Sequence, residues 1–102
     1  MLLATKTKNL INNVNKWSTQ LPLKFTLKNI KINGVNKGCS GFITNTKNGT
    51  CVYINTESSC YEPLKDKILY RYARDTKDYH GYENHFAREE EIAEKVLNFL
   101  AI

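Results

Sequence analysis

Residues 39–57 read Cys39-Ser40-Gly41-Phe42-Ile43-Thr44-Asn45-Thr46-Lys47-Asn48-Gly49-Thr50-Cys51-Val52-Tyr53-Ile54-Asn55-Thr56-Glu57. Apolar and polar residues alternate on both sides of Asn48-Gly49, a dipeptide that accepts the positive φ angles of a type I′ turn. The stretch therefore reads as a β-hairpin closed at Asn48-Gly49. In that register Lys47 faces Thr50, Thr44 faces Tyr53 and Ile43 faces Ile54. Ile43, Val52 and Ile54 share the core face, and Thr44, Thr46, Cys51 and Tyr53 share the other with Phe42.

Upstream of the hairpin, Leu23, Phe25 and Leu27 alternate with Lys24, Thr26 and Lys28, the pattern of a half-buried strand over 23–33. Ile30 and Ile32 then fall out of phase, which predicts a bulge near Lys28-Asn29. Asn33-Gly34 signals a turn, with a connection running to Gly38. Before the strand, Leu3, Leu10, Val14 and Trp17 recur at helical spacing, so residues 3–17 read as a helix that ends ahead of Pro22. Downstream, residues 58–66 form a loop around Pro63. Residues 67–74 read as a fourth strand, with Ile68, Tyr70 and Tyr72 alternating against Leu69, Arg71 and Ala73. Residues 75–85 are polar and aperiodic. Residues 87–101 read as a second helix with Ile92, Val96, Phe99 and Leu100 as its apolar stripe, and with Glu89, Glu90 and Glu91 in its first turn, where the helix dipole favours them. The expected architecture is a single α+β domain over 1–102, in the order α-β-β-β-β-α. It is a four-stranded antiparallel meander with an N-terminal and a C-terminal helix on one face and the other face open.

Charge is distributed unevenly along the 102 residues. Residues 1–50 carry eight lysines (Lys6, Lys8, Lys16, Lys24, Lys28, Lys31, Lys37 and Lys47) and no acidic residue, whereas residues 51–102 carry a net charge of −3. Such asymmetry points to a polyanionic partner. The use of 12 lysines against 3 arginines is that of an AT-rich genome, such as a low-GC bacterium, its phages and its mobile elements. No apolar run approaches the roughly 18 residues that cross a membrane, and the N-terminus lacks the basic-then-apolar order of a secretory signal. Cys39, Cys51 and Cys60 are odd in number and widely spaced, which favours free thiols in a reducing, cytoplasmic setting. With no Cys-x-x-Cys or His-x-x-x-His pair, no metal and no other cofactor is expected.

Two groups of residues are candidates for binding. The open sheet face would present Lys24 and Lys28, with Lys31 and Lys37 at its rim to neutralise phosphates and Tyr53 to stack on a base. The loop before the last helix holds Tyr79, His80, Tyr82 and His85, aromatic and polar residues suited to anchoring a protein partner. In content, the late run of Tyr70, Arg71, Tyr72, Arg74 and His80 is similar to the RelE-type ribonuclease toxins. That resemblance implies acid, base and charge-stabilising roles in phosphodiester cleavage. The chain departs from those toxins in its opening elements, and no nucleophile–base pair is visible in the spacing, so a catalytic residue is not assigned. The leading expectation is a small accessory protein of a phage or mobile element. It would bind single-stranded DNA or RNA, or a nucleic-acid-processing complex, through a lysine-rich sheet face. The rivals are an inhibitor that docks on a host protein and a RelE-like ribonuclease. A chain of this size buries a modest share of its surface, so a second copy of itself is a further partner to consider.

Overall fold

The structure is a computed structural model. It describes residues 12, 16–17, 21–56 and 67–101, with residues 29, 32, 36 and 37 described in their backbone alone. Five strands, β1 (Leu23–Ile32), β2 (Val35–Asn45), β3 (Cys51–Asn55), β4 (Lys67–Ala73) and β5 (His85–Arg88), precede one helix, α1 (Ile92–Phe99). All neighbouring strands are antiparallel, and their order in the sheet is their order in the chain.

The two Asn-Gly dipeptides behave differently. Asn33 and Gly34 have φ of 53° and 79°, as a two-residue type I′ turn requires, so β2 starts at once with Val35. At the second dipeptide only Gly49 has a positive φ, 80°. Its N–H donates to the Asn45 carbonyl, while the Asn45 N–H donates to the Thr50 carbonyl, each at 2.8 Å. Thr46–Gly49 thus form a four-residue loop. The Asn45 and Asn48 side chains hold it by accepting the N–H groups of Lys47 and Thr50, the Asx geometry that competes with a tighter turn.

The longer loop slides the hairpin by two residues from the expected pairing. Thr44 faces Cys51, Ile43 faces Val52 and Phe42 faces Tyr53. A shift of two leaves every side chain on its own face, because strand periodicity is two. The register irregularity lies between Ile30 and Lys31, with Lys37 as the extra residue of β2, and not at Lys28-Asn29. Leu23, Phe25 and Leu27 therefore all pack on the core side before it.

The core lies between one sheet face and α1. Ile43, Val52, Ile54 and Ile68 from the sheet meet Ile92, Val96 and Leu100, with Trp17 also buried among them. An eight-residue helix is not stable alone. Burial holds it, at roughly 2 kcal/mol for each fully buried aliphatic side chain. At its end the Asn45 Nδ2 donates to the Leu100 carbonyl at 2.8 Å, tying the β2–β3 loop to a carbonyl the helix leaves unpaired. Phe99 lies flat on Tyr72, 4.3 Å between centroids, and meets Tyr70 edge-on at 5.0 Å.

Several expectations need correction. The sheet has five strands among the described residues, not four. His85–Arg88 pair with Lys67–Tyr70 and so take the first residues of the expected 87–101 helix. Glu89 and Glu90 fall in the turn before α1, and Glu91 is its N-cap, which leaves Glu94 as the acid of the first turn. No N-terminal helix is among the described elements: of the span 3–17 only Asn12, Lys16 and Trp17 are described, each of them helical, and the rest of that expected helix lies outside the described residues. The expected loop at 58–66 lies outside the described residues.

Gly41 and Asn45 hold this architecture at two points. Gly41 has φ of 154°, and a Cβ there would run into the Thr26 carbonyl and lie 2.7 Å from the Leu27 Cα. Replacing Gly41 with Ala should cost at least about 2 kcal/mol, since neighbouring backbone must move. Asn45→Ala should cost less, roughly 1 kcal/mol, by removing the acceptor of the Lys47 N–H and the shorter of two amide donors to the Leu100 carbonyl, the other being Asn48 Nδ2 at 3.4 Å. Urea titration of each variant measures both, and a midpoint equal to that of the unaltered chain would refute the corresponding role.

Candidate functional site

Antiparallel pairing stacks the second sheet face into rows across the strands. One row runs Lys24–Thr44–Cys51–Ala73, the next Thr26–Phe42–Tyr53–Arg71, and the third Lys28–Ser40–Asn55–Leu69–Phe86. Arg71 is the outlier in character. It is 4 % exposed, and a buried guanidinium needs a partner for each side of its fork. Its Nη1 donates to the Tyr72 carbonyl at 3.0 Å and its Nη2 to the Asp78 carbonyl at 2.7 Å. Its face lies 4.5 Å from the Tyr53 ring centroid, a cation–π contact.

These bonds draw residues 74–84 back across the sheet. Asp78, also buried, accepts the Arg74 N–H at 2.9 Å on Oδ2 and the His80 N–H at 3.2 Å on Oδ1. The Arg74 Nε lies 3.6 Å from the same Oδ2. The Arg74 N–H chiefly holds the Asp78 carboxyl below its usual range; the His80 N–H and the charges of Arg74 and Arg71 add to this, while burial works against it. Tyr79, next in the chain, sets its ring edge-on to Phe42 at 5.3 Å and to Tyr53 at 5.9 Å. Gly81 lies so close to Arg71 Nη1 and the Asp78 carboxylate that a Cβ would displace one of them. The second face is therefore partly covered by the chain's own loop, and not open as expected.

The expected binding residues separate accordingly. Lys24 and Lys28 are exposed on the second face, and Lys31 is exposed beyond the irregularity. The Lys37 side chain lies outside the described residues. Tyr53 is half-buried, with Arg71 over one face of its ring and Phe42 and Tyr79 beside it, so that face is closed to a base. Tyr79 and Tyr82 are 54 % and 55 % exposed, and His80 is exposed. His85 is instead part of β5 on the helix side, 5.5 Å from Tyr70 and 5.2 Å from Phe99 between ring centroids. Tyr82 leans on Tyr72 at 6.4 Å, so Tyr79 and Tyr82 serve opposite faces and the four loop residues do not form one patch.

Asp78 and Gly81 were not among the expected site residues, and Arg71 entered only through the resemblance to the ribonuclease toxins. Its alternation with Leu69 and Ala73 puts it on the second face, but no sequence signal marks its burial, nor the roles of Asp78 and Gly81, because all three depend on a loop folding over a distant strand. Arg74, His80, Gly81 and Tyr82 together line a surface pocket of about 190 Å³. Burial pushes the Cys39 and Cys51 thiols up from their ordinary pKa, so both stay protonated at neutral pH and neither is poised as a nucleophile. Cys60 lies outside the described residues. Among the described residues no three His, Cys, Asp or Glu side chains are placed to hold a metal ion, and no helix is long and apolar enough to cross a membrane.

Asp78 makes stability depend on acid in a defined direction. Its folded pKa lies below the 3.8 of the free side chain, so its contribution is fully present above roughly pH 5 and is lost as pH falls through 3.8 toward the folded value. Asp78→Asn should be less stable than the unaltered chain at pH 7, with the gap closing as pH drops to 3. Urea midpoints measured from pH 7 to 3 give the test; a gap that stays constant would show that the carboxylate's charge plays no part.

Comparison of the chain with protein-family models, with curated proteins and with solved structures found no match.

Proposed function

We propose that the β1 edge of the sheet binds single-stranded nucleic acid through Lys24, Lys28 and Lys31. The observation that supports this is the placement of charge. Because the strands follow chain order, the acid-free half of the sequence occupies β1 and β2 at one edge of the sheet, while Glu89, Glu90 and Glu91 directly follow β5 at the other. Four strand spacings separate β1 from β5, about 19 Å. That is more than twice the screening length of about 8 Å at physiological ionic strength, so the glutamates do little to cancel the β1 lysines. Lys24 and Lys28 project from one face roughly 13 Å apart along the strand.

Binding on this edge is electrostatic and does not need Tyr53 as a stacking platform. It therefore favours charge over sequence. Lysines on an outer strand also discourage strand-to-strand association, and that role and phosphate binding can coexist on the same residues.

The exposure of Tyr79 and Tyr82 supports a second reading, in which the loop anchors a protein partner and the lysines steer the approach. A stoichiometric protein that co-purifies after nuclease treatment, and is lost with Tyr79→Ala, would favour that reading.

Anisotropy of labelled single-stranded DNA and RNA across a salt series tests the first. Each phosphate contact on a single strand contributes about −0.7 to the slope of log affinity against log salt, so changing Lys24, Lys28 and Lys31 to Gln should flatten that slope by about 2. An unchanged slope, or no binding by the unaltered chain at low salt, would reject the proposal.

A further inference from the structure

The pocket of Arg74, His80, Gly81 and Tyr82 is smaller than the roughly 300–1,000 Å³ that whole small-molecule ligands occupy, at about 190 Å³. It suits one group of a larger molecule. Its chemistry suits an anion. Arg74 is a guanidinium whose side chain is 73 % exposed, His80 is an exposed imidazole, and Tyr82 adds a phenol. A guanidinium fork matches the oxygens of a phosphate in two parallel hydrogen bonds.

The surroundings also hold the pocket in shape. The Asp78 carboxylate takes the backbone N–H of both Arg74 and His80, so one buried group fixes two pocket residues. The Arg74 Nε lies 3.6 Å from the Asp78 Oδ2, and with its side chain 73 % exposed the guanidinium stays accessible to a ligand. Gly81, which lines the pocket, has no room for a Cβ against Arg71 Nη1 and the Asp78 carboxylate. Tyr82 rests on Tyr72, which is stacked on Phe99.

Position links the pocket to the lysines. Arg74 directly follows Ala73, and Ala73 ends the row that begins at Lys24. Three strand spacings separate those two residues, about 14 Å. The pocket and the start of the basic edge therefore lie at the same end of the sheet.

We infer that this pocket receives a terminal phosphate of the single strand held on the β1 edge, a phosphomonoester read by Arg74 and His80. The inference rests on the proposed nucleic-acid binding and adds end recognition to it. An internal phosphodiester fits less well, because its two ester substituents must both leave a pocket sized for one group. Tyr82 offers its exposed ring to the terminal base.

The test uses oligonucleotides of one sequence with a 5′-phosphate, a 3′-phosphate or hydroxyl groups at both ends, labelled internally. One phosphorylated form should bind about tenfold tighter than the hydroxyl form, the gain expected of charge-assisted hydrogen bonds. Arg74→Gln and His80→Gln should each remove that preference, bringing the phosphorylated form to the affinity that the same variant shows for the hydroxyl-ended form. His80→Gln retains the backbone N–H that Asp78 needs, so loss of the fold does not account for it. Equal affinity for all three oligonucleotides would overturn the inference while leaving the lysine edge intact. If none binds, the lysine edge fails, and phenyl phosphate then tests the pocket alone. Saturable shifts of the His80 ring signals in NMR that Arg74→Gln abolishes would support it, and their absence would overturn it.

Discussion

A buried guanidinium is the constraint from which the second face of this protein is built. Arg71 sits in mid-strand where its neighbours Leu69 and Ala73 also face, and removing its charge from water is costly unless every side of the group is engaged. The Tyr53 ring covers one face, and two backbone carbonyls take the fork. One of those carbonyls belongs to Asp78, so satisfying Arg71 requires the β4–β5 connection to return over the sheet. The Tyr79 contacts with Phe42 and Tyr53, the close approach at Gly81 and the pocket beside Arg74 follow from that return. A segment that is polar and aperiodic in sequence is thus as constrained as a strand, and Asp78 is the residue through which it holds its shape.

The meander has a consequence for charge. A fold with crossovers would interleave early and late segments and mix lysines with glutamates. Here sequence order is spatial order, so an asymmetry along the chain becomes an asymmetry across the molecule. The lysine-rich strands form one edge, and the acidic turn follows β5 at the other, from where α1 packs over the core face of the sheet. The distance between the edges, set by strand spacing, exceeds the reach of screened interactions in salt. Part of the acidic cluster also has a local cause, since Glu94 lies in the first turn of α1, where the helix dipole favours it.

Expected and observed structure part at places where one backbone competed with another. Residues 75–85 read as a loop and 87–101 as a helix, yet the N–H and C=O groups of 85–88 pair with the outer side of β4. Sheet extension won there because an unpaired strand edge leaves a whole row of polar groups unsatisfied. At Asn48-Gly49 the dipeptide alone favours a two-residue turn. The Asn45 side chain, held at the end of α1 some fifty residues away, commits the loop to four residues instead. The same dipeptide at Asn33-Gly34 has no such competitor and makes the tight turn.

What the sequence determined by itself is therefore local and periodic. It specified which residues of the β2–β3 hairpin face the core, the outward Lys24 and Lys28, and the stripe of Ile92, Val96 and Leu100, because side-chain direction in a strand or helix follows from spacing alone. A register error of two residues did not disturb those faces, for the same reason. Only the tertiary structure decided that one face of Tyr53 is covered, that His85 belongs to the aromatic packing on the helix side, and that Arg74, His80, Gly81 and Tyr82 meet in one pocket. Those outcomes depend on which distant carbonyl satisfies a buried charge, and no periodicity in a single chain encodes that choice.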